Sequence, residues 1–91
     1  AEAGVAYDEA LRIRRKLAER NPEVYLPTVA EILNNVGSLR SSEQRVPEAR
    51  QAYDEALEIY RRFATVAPAT FMPVLRRVEF NRSLLPGNET R

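Results

Sequence analysis

Two pairs of neighbouring carboxylates, Asp8–Glu9 and Asp54–Glu55, are the residues best suited by type to acid–base work. Such work needs both groups at one reacting centre. Adjacent residues on a helix point in different directions, so neither pair converges. A catalytic serine or threonine needs a base, and none stands near one in sequence. The chain has no cysteine and no histidine, which removes thiolates, disulfides, the commonest metal ligand and the usual near-neutral proton carrier. The three glycines, Gly4, Gly37 and Gly87, are scattered and make no phosphate-cradling loop. Asn81-Arg82-Ser83 and Asn88-Glu89-Thr90 match the glycosylation pattern, which chance explains without a secretory signal. The sequence therefore predicts no enzyme, no metal and no cofactor.

One group of polar residues has a spacing that suits binding. Glu31, Asn34, Asn35, Ser38 and Ser42 fall 0, 3, 4, 7 and 11 positions along and share one side of a helix. Asparagine carries a donor and an acceptor, so it can pair with the backbone of an extended peptide whatever its sequence. The corresponding later positions are Arg77, Phe80, Asn81 and Leu84. An arginine, an aromatic and an aliphatic there suit an acidic or apolar segment. A competing reading has Asn34 and Asn35 solvate a polar face or tie adjacent helices together. On that reading Phe80 and Leu84 contact a missing helix or a second subunit.

Those positions correspond because the chain is written twice. A-Y-D-E-A-L at 6–11 returns unchanged at 52–57, 46 residues later. At the same offset Ile13 matches Ile59, Arg15 matches Arg61, Pro22 matches Pro68, Pro27 matches Pro73 and Asn35 matches Asn81. A period of this size marks stacked supersecondary units, because one unit alone cannot cover its apolar face.

Helical spacing predicts a first helix over 2–20, with Ala3, Ala6, Tyr7, Ala10, Ile13 and Leu17 on its apolar face. A connector follows, and Pro27 opens a second helix to about Ser41, buried through Val29, Ile32, Leu33, Val36 and Leu39. Gly37 inside it fits a close crossing by a neighbouring helix. After a polar turn, a third helix over about 47–66 repeats the first, with Ala49, Ala52, Tyr53, Ala56, Ile59 and Phe63 in the equivalent places. The fourth, about 73–85, carries Val74, Leu75, Val78 and Leu85 on one stripe and Phe80 with Leu84 on another. Its Glu79 and Arg82 stand where the second helix has Leu33 and Val36. Residues 86–91 read as a flexible tail.

Leu33, Val36 and Gly37, followed by Ala49, Tyr53 and Ala56, resemble a tetratricopeptide repeat, which places a large residue and Leu-Gly in one helix and Ala, aromatic, Ala in the next. Leu33-Asn34-Asn35-Val36-Gly37 is similar to the signature of the longer variety found in kinesin light chains and bacterial signalling arrays. Arg40 stands where the family commonly has an aromatic, and Arg82 and Ser83 stand where a third unit has Leu and Gly. The resemblance implies an all-α solenoid of antiparallel helix-turn-helix repeats: a half unit over 2–20, a full unit over 27–66 and a half unit over 73–85. It also implies a concave groove lined by helices 27–41 and 73–85, which Glu31, Asn34, Asn35, Ser38 and Ser42 face.

Charge bounds the partners. Fourteen basic residues against thirteen acidic give +1, without the basic excess of a nucleic-acid binder. Thirteen of the fourteen are arginine, the codon bias of a GC-rich bacterial genome. No apolar run reaches the length of a membrane span, and the cytoplasm is the default location. The expected role is a non-enzymatic scaffold for a protein or peptide partner. Self-association into homo-oligomers through uncapped helical ends is the alternative.

Overall fold

A proline that begins a helix and a second proline one turn further in set the start of both groove-lining helices. In the computed structural model, which describes residues 2–87, α1 spans Glu2–Arg20, α2 Pro22–Ser42, α3 Val46–Ala64 and α4 Pro68–Ser83. The sequence reading starts α2 at Pro27 and α4 at Pro73, and both starts need correction. Asn21 (φ −142°, ψ 74°) and Ala67 (φ −134°, ψ 72°) lie outside the helical region, from which the following proline ring excludes them. The N–H of Tyr25 then bonds the Asn21 carbonyl, and that of Phe71 the Ala67 carbonyl, each at 3.1 Å. Pro27 and Pro73 sit inside the helices and each forfeits one ladder bond. The extra turn brings Tyr25, Leu26, Phe71 and Met72 against the core, which offsets that loss.

The fold is all-α, with no strand among the described residues. Consecutive helices run antiparallel and pack one on the next, as helix-turn-helix repeats of an α-solenoid. The Cα envelope measures 36 × 30 × 17 Å. Residue contacts skip along the stack: Asn81 of α4 reaches Asn34 of α2, and Arg15 of α1 reaches Glu55 of α3. The Arg15–Glu55 pair is bidentate, at 2.5 and 3.1 Å, and raises the Arg15 pKa above the ordinary guanidinium value, chiefly through that hydrogen bond. Both side chains are more than a third exposed, so the pair sets register more than it adds stability.

The core is centred on α3, which has α2 on one side and α4 on the other. Ala49, Ala52, Tyr53, Ala56, Leu57, Tyr60 and Ala64 are all buried there. Four of those seven are alanine, which lets the flanking helices approach closely. Gly37 of α2 meets the Tyr53 ring: a β-carbon added at Gly37 would lie 2.5 Å from Tyr53 Cε1. What crosses the glycine is therefore a ring, and the ring's hydroxyl shares a 3.1 Å hydrogen bond with Ser38 Oγ.

In α1 the repeated face is only partly used. Tyr7, Ala10 and Leu17 are half-buried, but Ala3, Ala6 and Ile13 are exposed, contrary to the sequence expectation. Their α3 equivalents are covered because α3 lies between two helices, whereas α1 packs mainly on α2. Arg40 lays its side chain over Gly4 of α1, with Nη1 3.5 Å from where a β-carbon would stand, and pairs with Glu43 at 2.9 Å.

α4 turns Leu75, Val78 and the following Leu85 inward. Glu79 and Arg82 fold back onto α3: Arg82 pairs with Asp54, and Glu79 lies 3.9 Å from Arg61. Polar residues at these two repeat positions therefore strap α4 to the helix before it. Leu85 to Gly87 form a turn held by a 3.0 Å bond from Arg50 Nη2 to the Pro86 carbonyl. The remainder of the expected tail, with the Asn88 glycosylation pattern, lies outside the described residues.

α2 ends in two reversed hydrogen bonds, Gln44 N–H to Ser41 O at 3.0 Å and Arg45 N–H to Arg40 O at 2.8 Å. That pattern needs a left-handed residue, and Gln44 takes it at φ 61°. A side chain is unfavourable there by ~1–2 kcal/mol. Gln44→Gly should therefore raise the unfolding free energy by roughly 0.5–1 kcal/mol, the usual gain when a left-handed position receives glycine. Urea denaturation checks it, and a loss of stability would mean the Gln44 side chain contributes something else.

Candidate functional site

Glu31, Asn34 and Asn35 from α2 and Arg77 from α4 face one another across a cleft of about 370 Å³. Pro27 and Thr28 continue the α2 wall, and Thr70, Phe71 and Val74 the α4 wall. Tyr60 of α3 and Val78 of α4 line it from below, both buried. The Phe71 ring is packed between two others, 6.3 Å from Tyr60 and 5.3 Å from Phe63 between centroids. One side of the cleft is thus a set of rings held in place by the core, and the other a row of polar side chains.

The structure divides the residues singled out from sequence. Asn81 Nδ2 donates to Asn34 Oδ1 at 3.1 Å and joins α2 to α4. Asn34 therefore lines the cleft and also ties two helices. Asn34→Ala should cost about 0.5–1.5 kcal/mol, the worth of one side-chain hydrogen bond. The same loss from Asn81→Ala, with little more in the double variant, would show by chemical denaturation that the pair acts as a unit. Ser38 is engaged with Tyr53, and Ser42 Oγ donates back to the Leu39 carbonyl at 2.7 Å. Neither borders the cleft. Phe80 and Leu84 stand on the outward side of α4, 63% and 66% exposed, away from it.

No family model, curated protein or solved structure matches this chain.

Sequence reasoning missed Tyr60, Phe71 and Val74 as cleft residues. Phe71 falls in the extra helical turn hidden by the second proline. Val74 reads as core from its spacing. Tyr60 did leave a signal, because its repeat partner is Arg14. An aromatic in place of a charged residue, within an otherwise faithful copy, marks a position with a different neighbour in the second unit. That neighbour is α2, which precedes α3 and has no counterpart before α1; Tyr60 shares the cleft with its Thr28 and Glu31.

Tyr60 is 6% exposed, and its hydroxyl makes no hydrogen bond with another described residue. Burial raises its pKa above 10.0, and the nearby Glu31 carboxylate raises it further. Below pH 10 the phenol is neutral whether the chain is folded or not. As pH rises past 10 the unfolded chain ionises first, so folding loses this contribution as pH climbs through the higher folded value. Absorbance at the phenolate band should show Tyr60 titrating late. Tyr60→Phe should abolish that late phase and lessen the alkaline loss of stability.

Among the described residues, no cluster of three or more acidic, cysteine or histidine side chains is placed to hold a metal. No described helix is long and apolar enough to cross a membrane.

Proposed function

We propose that this chain is a tetratricopeptide-type interaction segment of a bacterial cytoplasmic protein, and that it holds an extended peptide or protein segment in the α2–α4 cleft without performing chemistry on it. The cleft itself carries the reading: an aromatic base fixed by the core, with side-chain amides able to pair with a peptide backbone along one wall. The Gly37–Tyr53 crossing supports the family assignment, since two of the residues that carry the resemblance are in contact.

Selection from a random peptide library displayed on phage tests it. Enriched peptides should bind the parent protein and lose binding to Val74→Arg, which fills the cleft from a half-buried wall position. Equal binding to a Val74→Arg protein with unchanged helical content would remove the cleft from consideration.

One observation favours a second reading, self-association. Ala3, Ala6 and Ile13 of α1 are exposed, while their counterparts Ala49 and Ala52 in α3 are 0% and 6% exposed. A monomer in sedimentation at high micromolar concentration would count against it. Nucleic acid is not proposed as a partner, because the charge is close to balanced.

A further inference from the structure

The geometry points to a cation subsite in the α2–α4 cleft: the bound segment presents a lysine or arginine side chain to Glu31 and Tyr60. The inference rests on the cleft being the peptide site and names the chemistry it selects.

Three observations carry it. First, Glu31 lines the cleft, is exposed, and makes no ion pair with another described residue. The acids that face neighbouring helices are engaged, Asp54 with Arg82, Glu55 with Arg15 and Glu79 with Arg61. Glu2, Asp8, Glu19, Glu23 and Glu58 also make no ion pair with a described residue, but they do not line this cleft. Glu31 is thus an acid left unpaired where a ligand would lie. Second, Tyr60 lines the same cleft and is 6% exposed, and its hydroxyl makes no hydrogen bond with another described residue. A buried polar group with no partner is costly, and a ligand N–H satisfies it. Third, the groups around them are oxygen-rich and aromatic: the Thr28 and Thr70 hydroxyls, the Asn35 amide and the Phe71 ring.

A cation matches all three. An ammonium or guanidinium donates to carboxylate and phenol oxygens together, and is attracted to aromatic rings. An anion does not fit, because it would sit beside the Glu31 carboxylate, whose influence already reaches Tyr60. The one base lining the cleft, Arg77, is on the opposite wall and also makes no ion pair with a described residue. It is placed for an acidic group elsewhere on the same segment.

The test uses three capped pentapeptides, Gly-Leu-X-Leu-Gly with X as Arg, Gln or Glu, titrated into the whole chain while the ring resonances of Tyr60 and Phe71 are followed by NMR. The arginine peptide should bind about tenfold more tightly than the glutamine peptide, the effect of one charge-assisted hydrogen-bonded contact. Glu31→Gln should erase that preference, so that the arginine and glutamine peptides bind alike. Arg77→Gln should leave the preference intact. Equal binding of all three peptides overturns the cation subsite while the peptide cleft stands. Tightest binding by the glutamate peptide also overturns it and assigns selection to Arg77. No shift of the cleft rings with any peptide removes the cleft reading itself, and the subsite with it.

Discussion

Replacing Tyr53 with alanine should lower the unfolding free energy by about 3–5 kcal/mol, the usual cost of deleting a buried aromatic. The side chain is 3% exposed and is packed between α2 and α3, with its ring against the Gly37 backbone. Nothing can collapse into that space cheaply. Gly37 has no side chain to fill it, and the neighbouring alanines Ala49, Ala52 and Ala56 have no reach. The hydroxyl is a separate and smaller contribution. Tyr53→Phe removes only the bond to Ser38 and should cost about 0.5–1.5 kcal/mol. A domain of this size has about 5–15 kcal/mol in hand, so the alanine variant should be close to unfolding at room temperature. Urea titration followed by circular dichroism measures both variants. A loss below about 1 kcal/mol for Tyr53→Ala would contradict the packing described for α2 and α3.

What could be foreseen and what could not divides along a physical line. The 46-residue echo and the three-and-four spacing of Ala49, Ala52, Tyr53 and Ala56 reported the helices and their inward faces, because both depend on local pattern. Helix starts were misplaced where two prolines compete. Pro22 and Pro27 each satisfy the local rule for a first position, and only the tertiary contacts of Tyr25 and Leu26 decide between them. The exposed half of the α1 stripe misled for the converse reason. Ala3, Ala6 and Ile13 carry the same letters as buried Ala49 and Ala52 and partly buried Ile59 in α3, but burial depends on a second flanking helix that letters do not encode. The cleft was legible on its polar wall, through the spacing of Glu31, Asn34 and Asn35. Its aromatic base was not, since Tyr60 and Phe71 meet only when α3 and α4 pack.

Gly37→Ala sets two effects of opposite sign against each other. Alanine in a helix interior is favoured over glycine by ~1 kcal/mol. The added carbon, however, would stand 2.5, 2.6 and 2.8 Å from three atoms of the Tyr53 ring, so something must move. The ring cannot swing aside freely, being buried and tied to Ser38. Overpacking of this kind costs ~1–3 kcal/mol, so the clash should win and the variant should be destabilised. The same substitution made in the Tyr53→Ala background meets empty space and should stabilise by up to ~1 kcal/mol. The sign reversal is the decisive measurement. A coupling of about 1–3 kcal/mol in the denaturation cycle would assign the close fit of this crossing to the glycine–tyrosine pair. Strict additivity would break that link. The pair also bears on assembly: Ser83 holds the repeat position of Gly37, so its β-carbon obstructs a tyrosine seated on α4 in the manner of Tyr53 on α2. Should copies of the chain associate, the exposed α1 face is the better candidate for their contact.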